Sequence, residues 1–398
     1  MSLNSTPSAE RVHIGIFGRI NAGKSSVINA ITGQDIAIVS DIKGTTTDPV
    51  YKAMELLPIG PVMIIDTPGL DDTSILGSLR IKKTNQVLNK TDIGILVVDG
   101  TAGMSQEDKN LIEKFKEKNI PYIIVYNKLD LVSEPKKYAD QNSIWVSSKT
   151  GKNIYELKEL IARQNPNKDI DKKIVSDLLS PGDFVVLVVH TDSSAPKGRL
   201  ILPQQRTIRD ILSVGALALV TEDVDISKAL AGLKQKPRLV ITDSQVFESV
   251  SAAVPEDTPL TSFSILFARL NGDLDEMARG AKMLGQLAEG DRLLICEGCT
   301  HHRQCEDIGT VKLPRWIENH TKKRFKFEFC SGTGFPDDLS SYKLIIHCGG
   351  CMLNNREMQH RIRFAKQNGT PITNYGVLIA YINGILDRCL EPFKNKNT

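Results

Sequence analysis

Short apolar runs, each closed by a glycine or a polar turn, recur along the whole chain. Residues 13–18 (HIGIFG), 61–66 (PVMIID), 93–99 (IGILVVD) and 122–127 (YIIVYN) are continuous apolar runs with no alternation of apolar and polar positions. Runs of that kind predict strands buried on both faces, which is the signature of a parallel sheet between layers of helix. A helical stretch is expected over 24–32, directly after a glycine-rich turn. The polar stretch 164–173 (QNPNKDIDKK) reads as a linker.

The apolar runs resume at 184–190 (FVVLVVH), pass a turn-rich segment with Pro196 and Gly198, and continue with a helical pattern over 207–217. The runs 217–223 (LALVTED) and 238–243 (RLVITD) then predict two more strands of a short α/β domain that carries no recognisable chemical motif. The segment 251–263 (SAAVPEDTPLTSF) marks a second expected boundary, since proline and small polar residues punctuate elements. Beyond it, 292–299 (RLLICEGC), 324–332 (RFKFEFCSG) and 343–351 (KLIIHCGGC) predict strands, and 356–367 a helix. No internal repeat of fixed period is evident. The expected fold is α/β: a domain over 1–165 with a mostly parallel sheet, then two smaller α/β domains over 174–262 and 263–398.

At 398 residues the chain exceeds one ordinary core, which agrees with this division. Apolar content of 41% and charged content of 24% are those of a globular protein. A net charge of +3 gives no sign of a nucleic-acid coat or an electrostatic membrane anchor. The polar N-terminus MSLNSTPSAERVH lacks the apolar core of a signal peptide, and no apolar run is long enough to span a bilayer. A cytoplasmic location is therefore expected, without nucleic-acid or membrane partners. All seven cysteines follow residue 295. In a reducing compartment such clustering points to metal or redox chemistry over disulfides.

Gly18-Arg19-Ile20-Asn21-Ala22-Gly23-Lys24-Ser25 follows a predicted strand and opens a predicted helix, the context of a P-loop. Backbone N–H groups of Asn21, Ala22, Gly23, Lys24, Ser25 and Ser26 would face phosphates at the helix N-terminus. Lys24 would reach the β- and γ-phosphates, and Ser25 would ligate Mg2+. Asp66-Thr67-Pro68-Gly69 ends a strand and brings a carboxylate to the metal and the Gly69 N–H to the γ-phosphate. Thr47, within Gly44-Thr45-Thr46-Thr47-Asp48, is placed to close on Mg2+. Asn127-Lys128-Leu129-Asp130 ends another strand, and its Asp130 carboxylate can accept from guanine N1–H and the 2-amino group, so GTP is the expected nucleotide. Ser147, Ser148 and Lys149 fit a further guanine loop. Lys24, Thr47, Asp66 and Gly69 are the candidate catalytic residues. These motifs in this order resemble GTPases of the TrmE–Era type. Leu70 stands where Ras-like enzymes carry a water-orienting glutamine. Asn21 matches the residue that, in the potassium-activated members this chain resembles, holds K+ against the phosphates.

Cys299-Thr300-His301 and His347-Cys348-Gly349-Gly350-Cys351 each follow an apolar strand. If those strands are parallel, both segments reach one sheet edge, where α/β folds build their sites. Thiolates there suit an iron–sulfur cluster, while Cys296/Cys299 with Cys348/Cys351 also reads as a four-cysteine zinc site. Cys305 could reach the same point. Cys296, Cys330 and Cys389 are expected in the core, and His13, His190, His320 and His360 as structural or exposed.

With its two halves together the sequence resembles the HydF family, the GTPase maturation factors of [FeFe]-hydrogenase. The resemblance implies a GTP-binding domain, a dimerisation domain and a cluster-binding domain in that order, and a homodimer. It implies a [4Fe–4S] cluster on Cys299, Cys348 and Cys351, with Glu306, His301 or His347 as candidate fourth ligand. It further implies a GTP-hydrolysing scaffold that carries a transient di-iron precursor from radical-SAM maturases to apo-[FeFe]-hydrogenase. A zinc- or redox-regulated GTPase of ribosome or tRNA metabolism is the alternative.

Overall fold

The structure, a computed structural model, describes residues 6–33, 49–68, 75–135, 141–165, 173–190, 200–298, 307–332 and 334–394. The chain forms two compact units, 1–171 and 172–398.

The first unit is a six-stranded sheet made of β1 (Val12–Phe17), β2 (Val50–Leu56), β3 (Gly60–Asp66), β4 (Ile93–Asp99), β5 (Tyr122–Asn127) and β6 (Ser143–Trp145), in the order β2-β3-β1-β4-β5-β6. Every pairing is parallel except β2 with β3. The central strands β1 and β4 are buried along almost their whole length, because two apolar clusters cover the two faces of the sheet. Strand β2 escaped the sequence pattern, since its residues 50–53 are exposed at the sheet edge and carry no continuous apolar run.

The second unit holds two four-stranded, all-parallel sheets. The first contains β7 (Phe184–Val189), β8 (Leu217–Glu222), β9 (Leu239–Thr242) and β10 (Leu260–Ser262); the second contains β11 (Arg292–Glu297), β12 (Lys326–Ser331), β13 (Leu344–His347) and β14 (Ile372–Asn374). The segment 251–263, expected as a boundary, instead contains β10, whose Leu260, Thr261 and Ser262 are fully buried in the first of these sheets. Its proline and small residues mark the tight entry into an edge strand. The helix expected over 207–217 runs earlier, Leu202–Ser213, starting next to Pro203.

Read from the second strand of each, the sheets have one topology: β8-β7-β9-β10 and β12-β11-β13-β14. The match extends to register. Val188 pairs with Thr221 and Thr242 as Cys296 pairs with Cys330 and His347. Thr242 then pairs with Ser262 as His347 pairs with Asn374. Asp243 N donates to Val188 O at 3.0 Å, and Cys348 N donates to Cys296 O at 2.8 Å. Gly182-Asp183 and Gly290-Asp291 enter β7 and β11, each Asp accepting from a backbone N–H three residues before it at 2.8 Å. The stretches 258–266 (TPLTSFSIL) and 370–378 (TPITNYGVL) share Thr, Pro, Thr and Leu at four equivalent positions and are alike in size or polarity at most others. The second unit is thus a tandem pair of equivalent modules. The repeat is invisible to a search at fixed period because the spacing between equivalent residues varies along the modules.

Each module closes with a helix capped from its last strand: Phe263–Asn271 by Ser262, which accepts from Ile265 N, and Tyr375–Ile382 by Asn374, which accepts from Val377 N. These two helices meet at equivalent positions. A Cβ on Gly376 would lie 2.4 Å from Ser264 Cβ. Asn374 Nδ2 donates to Ser264 O at 3.1 Å, and Ser262 Oγ in turn lies 3.1 Å from where a Gly376 Cβ would stand. An element that touches its own counterpart at the same residue marks a local pseudo-two-fold axis.

Candidate functional site

The nucleotide site sits at the C-terminal edge of the first sheet. Gly18 leaves β1 at φ 143°, with Val97 O only 2.2 Å from the position of a Cβ. Gly23 caps the helix Lys24–Thr32 at φ 90°, leaving that helix N-terminus bare for an anion. Lys24 Nζ donates to Gly18 O at 3.0 Å and Arg19 O at 2.8 Å, so it lies folded along the loop it would share with phosphates. Asn21, at φ 63°, is exposed on the loop surface. Ser25 Oγ donates to Asp66 Oδ2 at 3.4 Å. Asp66 Oδ1 is buried with no hydrogen-bond partner among the described residues. Burial pushes the Asp66 carboxyl up against the opposing pull of Lys24. A buried carboxylate oxygen without a donor, beside a serine hydroxyl, fits a divalent cation. Thr47, Gly69 and Leu70 lie outside the described residues.

The base end is tied to the phosphate end by one side chain. Asn127, almost fully buried, donates through Nδ2 to Ala22 O at 3.2 Å and accepts at Oδ1 from Ser148 N at 3.1 Å. Asp130 accepts from Ser147 Oγ at 2.6 Å, which, with Lys149 adding to the effect, holds the carboxyl below its usual range and ready to accept. Lys128, at φ 66°, pairs with Asp99 at 2.6 Å. Lys149 is exposed next to the base loop.

The thiol site occupies the equivalent edge of the last sheet. β11 and β13 are parallel neighbours, and the chain leaves them in opposite directions, to β12 on one side and β14 on the other. Such a switch point opens a crevice beyond the strand ends. The Cys348 thiol accepts there from Gly298 N at 3.0 Å and Gly350 N at 3.4 Å. Two converging N–H groups stabilise a thiolate or a metal-bound sulfur. Gly350, at φ 64°, makes the turn from Cys348 to Cys351. Both cysteines are half-buried, and burial pushes the Cys351 thiol up. Cys299, His301, Cys305 and Glu306 lie outside the described residues; Cys299 is joined directly to Gly298.

His347 is fully buried, and both ring nitrogens are engaged. Nδ1 lies 2.8 Å from Cys348 O and Nε2 lies 2.9 Å from Arg361 Nη1. Arg361 can only donate, so Nε2 accepts and the proton sits on Nδ1. Burial, with Arg361 alongside, lowers the imidazole to about 3, so it is neutral. Arg361 also donates to Glu357 at 3.0 Å and to Gly332 O at 2.5 Å, and it stacks on Phe335. Sequence reasoning passed over Glu357 and Arg361; an ion pair spaced i,i+4 within a helix expected to cover the sheet was the available signal. The Tyr375 hydroxyl is buried with no partner among the described residues, and a Cβ on Gly309 would lie 2.4 Å from it and 2.6 Å from Glu297 Oε1. Cys389 is buried core, its thiol pushed up to about 12 by burial. Cys296 is buried and Cys330 half-buried, and their sulfurs lie 2.9 Å apart. No helix among the described residues is long and apolar enough to cross a membrane.

The first unit is thus a P-loop GTPase domain. Residues 13–128 match a family model described as 50S ribosome-binding GTPase. Residues 174–272 match the hydrogen maturase F dimerization domain, and 275–392 the hydrogen maturase F tetramerization domain. The domain content of the chain is that of hydrogen maturase F. Among curated relatives, the tRNA modification GTPase MnmE of Legionella pneumophila is 38% identical over 200 residues, 49% of this chain and 42% of that protein. MnmE of Chromobacterium violaceum is 33% identical over 192 residues, 47% of this chain and 40% of that protein. The chain spans less than half the length of these relatives. Among solved structures, an Era variant from Aquifex aeolicus bound to GDP and tetrafluoroaluminate is 20% identical, covering 53% of this chain and 92% of that one at a TM-score of 0.36.

Proposed function

We propose that this chain hydrolyses GTP and serves as a scaffold that holds a [4Fe–4S] cluster and passes a di-iron precursor, received from radical-SAM maturases, to apo-[FeFe]-hydrogenase. Two hydrogen maturase F domains behind a GTPase domain support the reading. The observation that carries it is the Cys348 thiol at the β11/β13 crevice, held by Gly298 and Gly350 N–H groups, with Cys299 the next residue after Gly298. Cys299, Cys348 and Cys351 hold the cluster. Three thiolates leave one iron with an exchangeable position, which is the chemistry a carrier needs. Glu306 and His301 are the preferred fourth ligands, because His347 already spends Nε2 on Arg361 and Nδ1 on Cys348 O. His347 and Arg361 instead orient the Cys348 backbone.

At the other site, Ser25, Thr47 and Asp66 hold Mg2+, and Asn21 holds K+, which takes the part of an arginine finger. Lys24 and the loop N–H groups bind phosphate, Gly69 meets the γ-phosphate, and Asp130 with Ser147, Ser148 and Lys149 selects guanine. The assembly is a homodimer through 174–272, with 275–392 supporting a higher oligomer. The module boundary falls after the helix Phe263–Asn271, the counterpart of Tyr375–Ile382, and not at 262.

The test is anaerobic purification with iron analysis, electron paramagnetic resonance and a hydrogenase activation assay. Cys299→Ala, Cys348→Ala and Cys351→Ala should each lose most iron and all activation. A colourless, zinc-containing wild type would overturn the cluster and favour a zinc-regulated GTPase akin to the tRNA-modifying relatives.

A further inference from the structure

Cys296 and Cys330 are register partners on the adjacent parallel strands β11 and β12, and their sulfurs lie 2.9 Å apart. Side chains of paired residues stand on one face of the sheet, so these thiols face each other by construction. Joining them needs no backbone movement, because neighbouring strands already hold Cα atoms within disulfide range.

The sister module supplies an internal control for what the fold demands here. Its equivalent pair is Val188 and Thr221. The topology, the register and the packing of this position therefore work without sulfur. A pair of thiols is a property of the second module alone, the module that also carries Cys348 and Cys351. The two thiols also differ in access: Cys330 is half-buried and Cys296 is fully buried. That is the arrangement of an attacking thiol and a resolving thiol.

We propose that Cys296 and Cys330 are an oxidisable dithiol that closes into a cross-strand disulfide when the protein meets hydrogen peroxide. The Cys330 thiolate attacks one peroxide oxygen, the O–O bond breaks, hydroxide leaves, and Cys330 becomes a sulfenic acid. The Cys296 sulfur then attacks the Cys330 sulfur, the S–O bond breaks, and the released hydroxide takes the Cys296 proton to leave as water. The hydroxide from the first step takes up the proton that the Cys330 thiol gave up on ionising, so over both steps two thiols are oxidised and one peroxide is reduced to two waters. The bond locks β11 to β12 at the residue whose carbonyl accepts from Cys348 N, so it stiffens the sheet edge from which the thiol site hangs.

The assay is peptide mapping of the full-length chain, alkylated without reduction after peroxide treatment. It is run on wild type and on a Cys299→Ala/Cys348→Ala/Cys351→Ala variant. The triple variant removes any cluster, so its result is independent of the carrier reading. Both proteins should yield a linked peptide pair joining Cys296 to Cys330 and lose both free thiols. Cys296→Val and Cys330→Thr, which copy Val188 and Thr221, should keep the wild-type melting temperature and form no such link. A linkage confined to other cysteines, or none in the triple variant while Cys330 overoxidises to sulfinic acid, overturns the proposal.

Discussion

Asp130 shows how one carboxylate is readied for a base. Ser147 already donates to one of its oxygens and keeps it ionised, leaving the remaining lone pairs for the purine edge. Asp130→Asn replaces an acceptor with a donor and so loses its pairing to the guanine edge. Nucleotide preference should move toward xanthosine triphosphate in a competition assay, and unchanged GTP affinity would remove Asp130 from the site. His13 makes a different prediction. Burial lowers it to about 4, with Lys90 adding to the effect and a hydrogen bond to Arg11 O opposing it. The unfolded chain binds this proton near the ordinary value of 6.5 while the folded one refuses it, so stability falls as pH drops from about 6.5 to about 4. His13→Gln should flatten that part of the melting-temperature curve; a curve identical to wild type would dismiss the assignment. Such side-chain detail was not legible in the sequence. His13 reads as an unremarkable histidine, and Arg361 gave no sign that it would meet the His347 ring.

Elements that carry phosphate chemistry were legible to within a residue, because their strands are buried apolar runs closed by glycine or a polar turn. The P-loop needs that glycine sterically. A methyl group on Gly18 would lie 2.2 Å from Val97 O on β4, so Gly18→Ala should destabilise the first unit by about 1–3 kcal/mol in a denaturant titration. Gly23→Ala should act more locally. Its Cβ would stand 2.2 Å from Asn127 Nδ2 and push aside the side chain that ties the phosphate loop to the base loop. GTP affinity should fall by more than tenfold while the melting temperature changes little; isothermal calorimetry would decide. The edge strands β2 and β10 were illegible, although the edges β8 and β12 were read from their apolar runs. β2 exposes most of its side chains, and β10 hides inside a proline-marked segment, so neither shows the buried period that betrays a central strand.

For the whole molecule, the parallel pairing of β11 with β13 is the expectation on which the thiol site depended, and the strands pair that way. The duplication was not foreseen, because sequence identity survives clearly only around the entry to β10 and β14. Two compact units predict separable chemistry. GTP turnover should persist in Cys348→Ala, and it should run faster in potassium than in sodium at equal ionic strength, a difference that Asn21→Ala abolishes. Equal rates in the two salts would end the cation proposal. The pseudo-two-fold contact has its own consequence. The closing helix of the first module ends at Asn271, and the next helix starts at Leu274. A tether that short turns the meeting of two faces into an intramolecular event, at an effective concentration on the order of millimolar. The face around Ser264 and Gly376 therefore needs less affinity than two free chains would, and one buried apolar cluster holding Phe247, Ile265 and Ala268 together with Val377 and Leu378 runs through it. Its small, close-fitting residues set how the modules are aligned, and the shared apolar cluster and the short tether together hold them there.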